Sequence, residues 1–164
     1  MSTIIGLDHG ARRIAFGEPV TRVIGLDHGS RRIGVAVGDT ETGMAFERPA
    51  IHRRSLAVDL HEVEQLAWAE SAELIVVGLP LNMDGSEGTQ AAAARSFGDG
   101  LTENGLRVAY EDERLSSWEA GEQLRASGRR PRRESGELDS TAARLILQQY
   151  LDGRRRTSFP EETE

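Results

Sequence analysis

Up to about residue 53 the apolar and small residues follow the short period of strands; beyond it apolar residues recur every three to four positions, as in helices. In RVIGLD (22–27), Val23, Ile24 and Leu26 run nearly together, as in a strand buried on both faces. His28, Gly29 and Ser30 read as a turn. RIGVAVGD (32–39) alternates strictly, with Ile33, Val35 and Val37 on one face and small residues on the other. Gly38-Asp39 and Gly43 mark a second turn. Met44 to Ile51 is a weaker strand, which Pro49 pushes toward a sheet edge. Tight turns make these three an antiparallel set.

Leu56, Leu60, Val63 and Ala67 then predict an amphipathic helix from Ser55 to about Ser71. Leu74 to Val77 is a short apolar strand, GLPLNMDGSEG a loop, and Glu87 to about Asn104 an alanine-rich helix. Arg107 to Tyr110 is a fifth strand. Ser116 and Glu119 form a capping box opening a helix to about Ala126. SGRRPRRESGE, broken by Pro131, reads as a flexible loop. Leu138, Ala142, Leu145 and Ile146 mark the core face of a last helix, and the charged segment 153–164 reads as a frayed tail. The order implies an α/β fold: a mixed five-stranded sheet flanked by helices, three antiparallel strands first, then strands alternating with helices.

The chain has 164 residues, enough for one domain with a core. It has no cysteine, so disulfides and thiolate sites are excluded and a reducing cytoplasm fits. No apolar run approaches the ~20 residues that span a bilayer, and the N-terminus has no secretory pattern, so no membrane partner is expected. The net charge of −7 argues against bulk attraction to nucleic acid. All 20 basic residues are arginine, a composition that fits phosphate gripping or simply GC-rich codons. Two clusters stand out, Arg125 to Arg133 and Arg154 to Arg156. Each is a phosphate-facing patch or a solvated segment.

Acidic residues supply the candidate chemistry. Asp27 ends the first strand, Asp112 and Glu113 follow the fifth, and Asp139 opens the last helix. Strand ends on one sheet edge lie close together, and a helix packed there adds a third carboxylate. Crowded carboxylates raise one another's pKa unless a cation intervenes. Mg²⁺ suits a few carboxylates plus water and phosphate oxygens, and such a site serves phosphodiester hydrolysis. Each residue has a structural alternative: Asp27 as a turn acceptor, Asp139 as a helix cap, Asp112 or Glu113 as a partner of Arg114.

GLDHGSRRIGVAVGD, VVGLPLNMDGSEG, DERLSSWEA and LDSTAARLILQQYL, in this order, resemble the motifs of the YqgF/RuvX family of RNase H-like nucleases, over about Arg22 to Leu151. The resemblance implies an RNase H-like fold in a nuclease domain over 21–152 and a cytoplasmic bacterial protein. It implies a hydrolase that processes the 5′ end of 16S ribosomal RNA precursor, or alternatively resolves Holliday junctions. It assigns Asp27, the acidic residue of DER, and Asp139 to a catalytic Mg²⁺ or Mn²⁺ site. Glu113 is preferred to Asp112 because strand alternation sends the two to opposite faces. Arg114 is a candidate for the scissile phosphate, or pairs with a local carboxylate. Asn82, Asp84 and Gly85, in the loop before a helix N-terminus, are candidates for binding substrate phosphate. His28 and His9 are proton shuttles or turn residues; Trp68 and Trp118 read as packing rather than base-stacking platforms. The expected partner is nucleic acid, as structured precursor RNA or branched DNA, met by a monomer or a homodimer.

Two other readings compete. G-apolar-D-x-G also resembles the phosphate loop of actin-like kinases and ATPases, but those enclose ATP between two such domains and this chain has room for one. A silent domain of the same type would bind nucleic acid without cutting it. The first strand's phrase also occurs twice: Ile5 to Ile14 matches Ile24 to Ile33 except for Ala11 against Ser30. The second copy continues into a strict strand, whereas Gly17 and Pro19 break the first. Residues 1–20 therefore read as an extension, with Asp27 the working aspartate and Asp8 its copy.

Overall fold

The computed structural model describes residues 22–114 and 137–158. Five strands form one sheet: β1 (Arg22–His28), β2 (Arg32–Asp39), β3 (Met44–His52), β4 (Leu74–Leu79) and β5 (Val108–Asp112). Their order is β3-β2-β1-β4-β5, with the first three antiparallel and β4 and β5 parallel to β1. The helices are α1 (Leu56–Glu70), α2 (Thr89–Glu103) and α3 (Glu137–Ser158). Pro49 lies in the edge strand, as its missing N–H predicts. Ser55 caps α1 by accepting from Val58 N at 3.2 Å, and Ser71 ends it in the left-handed region.

Strand alternation splits the sheet into two unlike faces. On one, Ile24, Leu26, Ile33, Val35, Val37, Ile75 and Val77 pack under α1 and α2, against Leu60, Val63, Phe97 and Leu101. On the other, Val23, Ala36 and Val76 pack under Ala143, Ile146, Leu147 and Leu151 of α3. That second face is thin because small residues line it. A Cβ on Gly25 would lie 2.8 Å from the Leu147 Cβ and 3.2 Å from the Ala143 carbonyl oxygen. Only glycine lets α3 sit this close to the central strand.

The last helix differs from expectation at its end, running to Ser158 rather than stopping near Asp152. Residues 154–156 fall in its final turns. Several expectations lie outside the described residues: the extension 1–20 with Asp8 and His9, the helix from Ser116 with Trp118, the loop containing Arg125 to Arg133, and the tail beyond Ser158.

Candidate active site

Parallel β1, β4 and β5 end at the same edge of the sheet, and the acidic residues gather there. Asp27 is the penultimate residue of β1 and stands opposite Gly34 of β2. Glu113 follows β5, and its N–H donates to the Leu79 carbonyl at 3.1 Å. Both carboxylates lie on the α3 side. Asp27 shares that side with Gly25 by the two-residue period, and the Glu113 carboxyl carbon lies 3.4 Å from where a Gly78 Cβ would stand. The missing side chain at Gly78 thus leaves the room that Glu113 fills.

Glu113 is only 7% exposed. Burial pushes its carboxyl above the usual carboxylate range, a hydrogen bond shared with Asp27 pulls the other way, and the Asp112 charge adds to the rise. Asp112 sits on the opposite side of the strand, engaged by Arg114 at 2.6 Å. That contact holds the Asp112 carboxyl below its ordinary value. The neighbours therefore occupy different faces, as alternation requires.

Asp139 lies in the first turn of α3. Leu151 and Leu147 pack near Gly38, and Leu147 and Ala143 near Gly25. Gly38 stands beside Val23 in the β1–β2 register, so α3 runs antiparallel to β1. The backbone one turn before Ala143, at ~1.5 Å rise per residue, continues toward the Asp27 end of β1. The Asp139 side chain is outside the described residues, and among those described no three acidic or histidine groups converge on one point.

A cleft of about 600 Å³ opens over this edge, lined by Asp27, Glu113, His28, Arg53, Gln90 and Arg114 among others. His28 tilts against Phe97 at 4.9 Å between ring centres. Its burial and then the Arg53 charge lower its pKa, favouring the neutral ring. This is the packed position of a strand-end residue at the cleft wall.

Arg114 takes the second of its two alternatives, and the loop candidates bond among themselves. Arg114 pairs with the local carboxylate: Nε reaches both Asp112 oxygens at 3.1 Å, and Nη1 donates to the Met83 carbonyl at 3.1 Å. Asn82, Asp84 and Gly85 close the loop on itself and do not line the cleft. Asn82 N donates to the Ser86 carbonyl at 2.8 Å, Gly85 N to the Asn82 carbonyl at 2.8 Å, and Asp84 Oδ1 accepts from Ser86 N at 2.9 Å. Gly85 has φ +89°, a left-handed turn that suits glycine. From this region the cleft meets Met83, Thr89 and Gln90 instead, beside an α2 N-terminus whose cap, Gly88, offers no side chain. Trp68 is largely exposed on α1, away from the cleft lining.

Two residues absent from the sequence reading shape this edge: Arg53 lines the cleft, and Asp59 stands behind it. Arg53 follows β3, and its backbone N–H donates to the Arg31 carbonyl at 2.9 Å. Asp59, buried in the first turn of α1, accepts from Arg54 N at 3.0 Å and faces Arg53 Nε at 3.8 Å. A usable signal existed: an antiparallel trio returns the end of the third strand to the edge where the first ends.

The fold is that of the RNase H-like nucleases, and relatives sharpen the class. A sequence profile of the RuvX family, described as Holliday junction resolvase, matches residues 21–153. A protein of Synechococcus elongatus, named as a candidate pre-16S rRNA nuclease, is 44% identical over 156 residues, covering 92% of this chain and 89% of its own. One so named from Anaeromyxobacter sp. strain K is 44% identical over 122 residues, covering 74% of this chain and 89% of its own. The chain belongs to the RuvX family. In fold it is similar to Thermus thermophilus RuvC solved with a Holliday junction substrate, with a TM-score of 0.54, 15% identity, and coverage of 84% of this chain and 97% of that one.

Proposed function

We propose that the protein is a divalent-metal-dependent nuclease that hydrolyses phosphodiester bonds in the 5′-end processing of pre-16S ribosomal RNA, in the cytoplasm. The observation that carries this reading is the placement of Asp27 and the buried Glu113 on the same side of the sheet at one edge, where both line an open cleft. Two carboxyls this close need either a shared proton or a cation between them. Both offer only hard oxygen donors, which suits Mg²⁺ or Mn²⁺ and not a soft metal. Asp27, Glu113 and Asp139 would hold the ion. When bound, it would supply Lewis-acid charge for the hydrolysis. The chain's own part is to fix the carboxyls on rigid strand ends and leave the cleft wide enough for a sugar–phosphate backbone.

The RNA substrate is supported by the names of the relatives at 44% identity. Resolution of branched DNA is the second reading, supported by the family description. A resolvase would act as a symmetric homodimer, presenting two sites to two equivalent strands. The deciding experiment incubates the wild-type protein with structured precursor RNA and, in parallel, a four-way DNA junction, each with Mg²⁺, Mn²⁺ or EDTA. The proposal expects metal-dependent cleavage of the RNA. Symmetric nicking of the junction alone would favour the second reading, and no cleavage of either would leave a binding module.

A further inference from the structure

The cleft presents an electrostatic difficulty. It is lined by Asp27 and Glu113, and a nucleic-acid backbone is itself anionic, so a cationic side chain on the wall favours substrate binding beyond what a metal ion on the carboxylates supplies. Among the described residues, two arginines line the cleft, and they differ in what they have left to give. Arg114 spends all three guanidinium nitrogens inside the protein: Nε and Nη2 on Asp112, Nη1 on the Met83 carbonyl. Asp112 opposes its charge at 2.6 Å.

Arg53 is arranged otherwise. Nη1 donates to the Gly29 carbonyl at 2.9 Å, which aims the side chain across the turn that follows Asp27 and His28. The carboxylate facing it, Asp59, stands at 3.8 Å from Nε, beyond hydrogen-bond length. Nη2 has no partner among the described residues. The side chain is 34% exposed, so this edge of the fork is accessible while its stem is held.

We infer that Arg53, and not Arg114, is the arginine that grips a backbone phosphate of the substrate at the Asp27 end of the cleft. This rests on the nuclease reading and names a contact for it. The rigid hold on Nη1 pre-orients the fork, so little rotamer freedom is lost when a phosphate oxygen docks. Arg114 instead braces the loop at residues 82–83 to the end of β5.

The test measures binding in EDTA, apart from cleavage. A fluorescently labelled structured precursor RNA is titrated against wild type, Arg53→Gln and Arg54→Gln over a range of salt. Arg54 is the control: it neighbours Arg53, is more exposed, and does not line this cleft. Arg53→Gln should weaken binding about tenfold and lower the salt slope by about one phosphate's share, ~0.7 to 0.9. Arg54→Gln should change affinity less than about twofold. Equal losses in both variants, or none in Arg53→Gln, would overturn the inference. On wild-type protein, which avoids any folding defect, bound RNA should shield Arg53 from phenylglyoxal while Arg54 stays reactive; equal reactivity of Arg53 with and without RNA would also overturn it. Wild type that binds neither this RNA nor a four-way DNA junction would overturn the nuclease reading, and this inference with it.

Discussion

The two faces of the sheet are built from the same strands and do opposite work. Under α1 and α2 the residues are large and branched, and Leu26, Ile33 and Ile75 are buried to 1% or less. Under α3 glycine and alanine at Gly25, Ala36 and Gly38 stand beside Val23 and Val76, and the helix comes close enough that a Gly25 Cβ would collide with it. The first face supplies most of the apolar burial and hence most of the stability. The second supplies approach distance, and its far end is where Asp27 and Glu113 meet.

The contrast can be broken from either side. Leu101→Ala, on α2 and fully buried, should cost the most stability, about 3 kcal/mol. Cleavage per folded molecule should hold, because the carboxylates lie on the other face; thermal melts paired with activity corrected for folded fraction check both. Gly25→Ala should cost less, about 2 kcal/mol, yet lose cleavage, because α3 must move away from the strand that carries Asp27. If Gly25→Ala kept full activity, the close approach of α3 would not matter to the site.

Neighbouring residues sharpen the same comparison. Glu113→Gln should change stability by less than about 1 kcal/mol, since the amide keeps the shape and escapes the burial cost of a charge. Cleavage should fall by roughly a hundredfold or more. Asp112→Asn, one residue away on the other face, is the smallest effect. It breaks a half-exposed ion pair with Arg114, worth under about 1 kcal/mol, and should leave cleavage close to wild type. Equal losses of cleavage in these two variants would mean that alternation does not separate their roles.

Much of this was written in the sequence in terms of period. The strict alternation of RIGVAVGD gave both the apolar face and the small face of β2, and the same rule separated Glu113 from Asp112. The short turns at Gly29 and Gly43 fixed the antiparallel trio. What stayed hidden depended on who bonds whom. Arg114 was one of two candidate outcomes until Asp112 and the Met83 carbonyl were seen to occupy it. Asn82, Asp84 and Gly85 have the composition of a phosphate loop, but their short polar groups satisfy one another locally. Arg53 and Asp59 lie six residues apart on unlike elements, and no periodicity links them. The helix runs past Asp152 although a run of arginines reads in sequence as a solvated tail.

The duplicated phrase bears on the central claim. Asp8 sits in a motif nearly identical to that of Asp27, and the β1 slot is filled by Arg22–His28. We propose that residues 1–20 are dispensable, so deleting 2–20 should leave the melting temperature close to that of the full chain. The most direct test compares metal-dependent cleavage of structured precursor RNA by wild type, Asp27→Asn and Asp8→Asn, each confirmed as folded. The account predicts that Asp27→Asn abolishes cleavage and Asp8→Asn retains it. Cleavage that survived Asp27→Asn, or that was lost in Asp8→Asn, would contradict the assignment of the site to the edge where Asp27 meets Glu113.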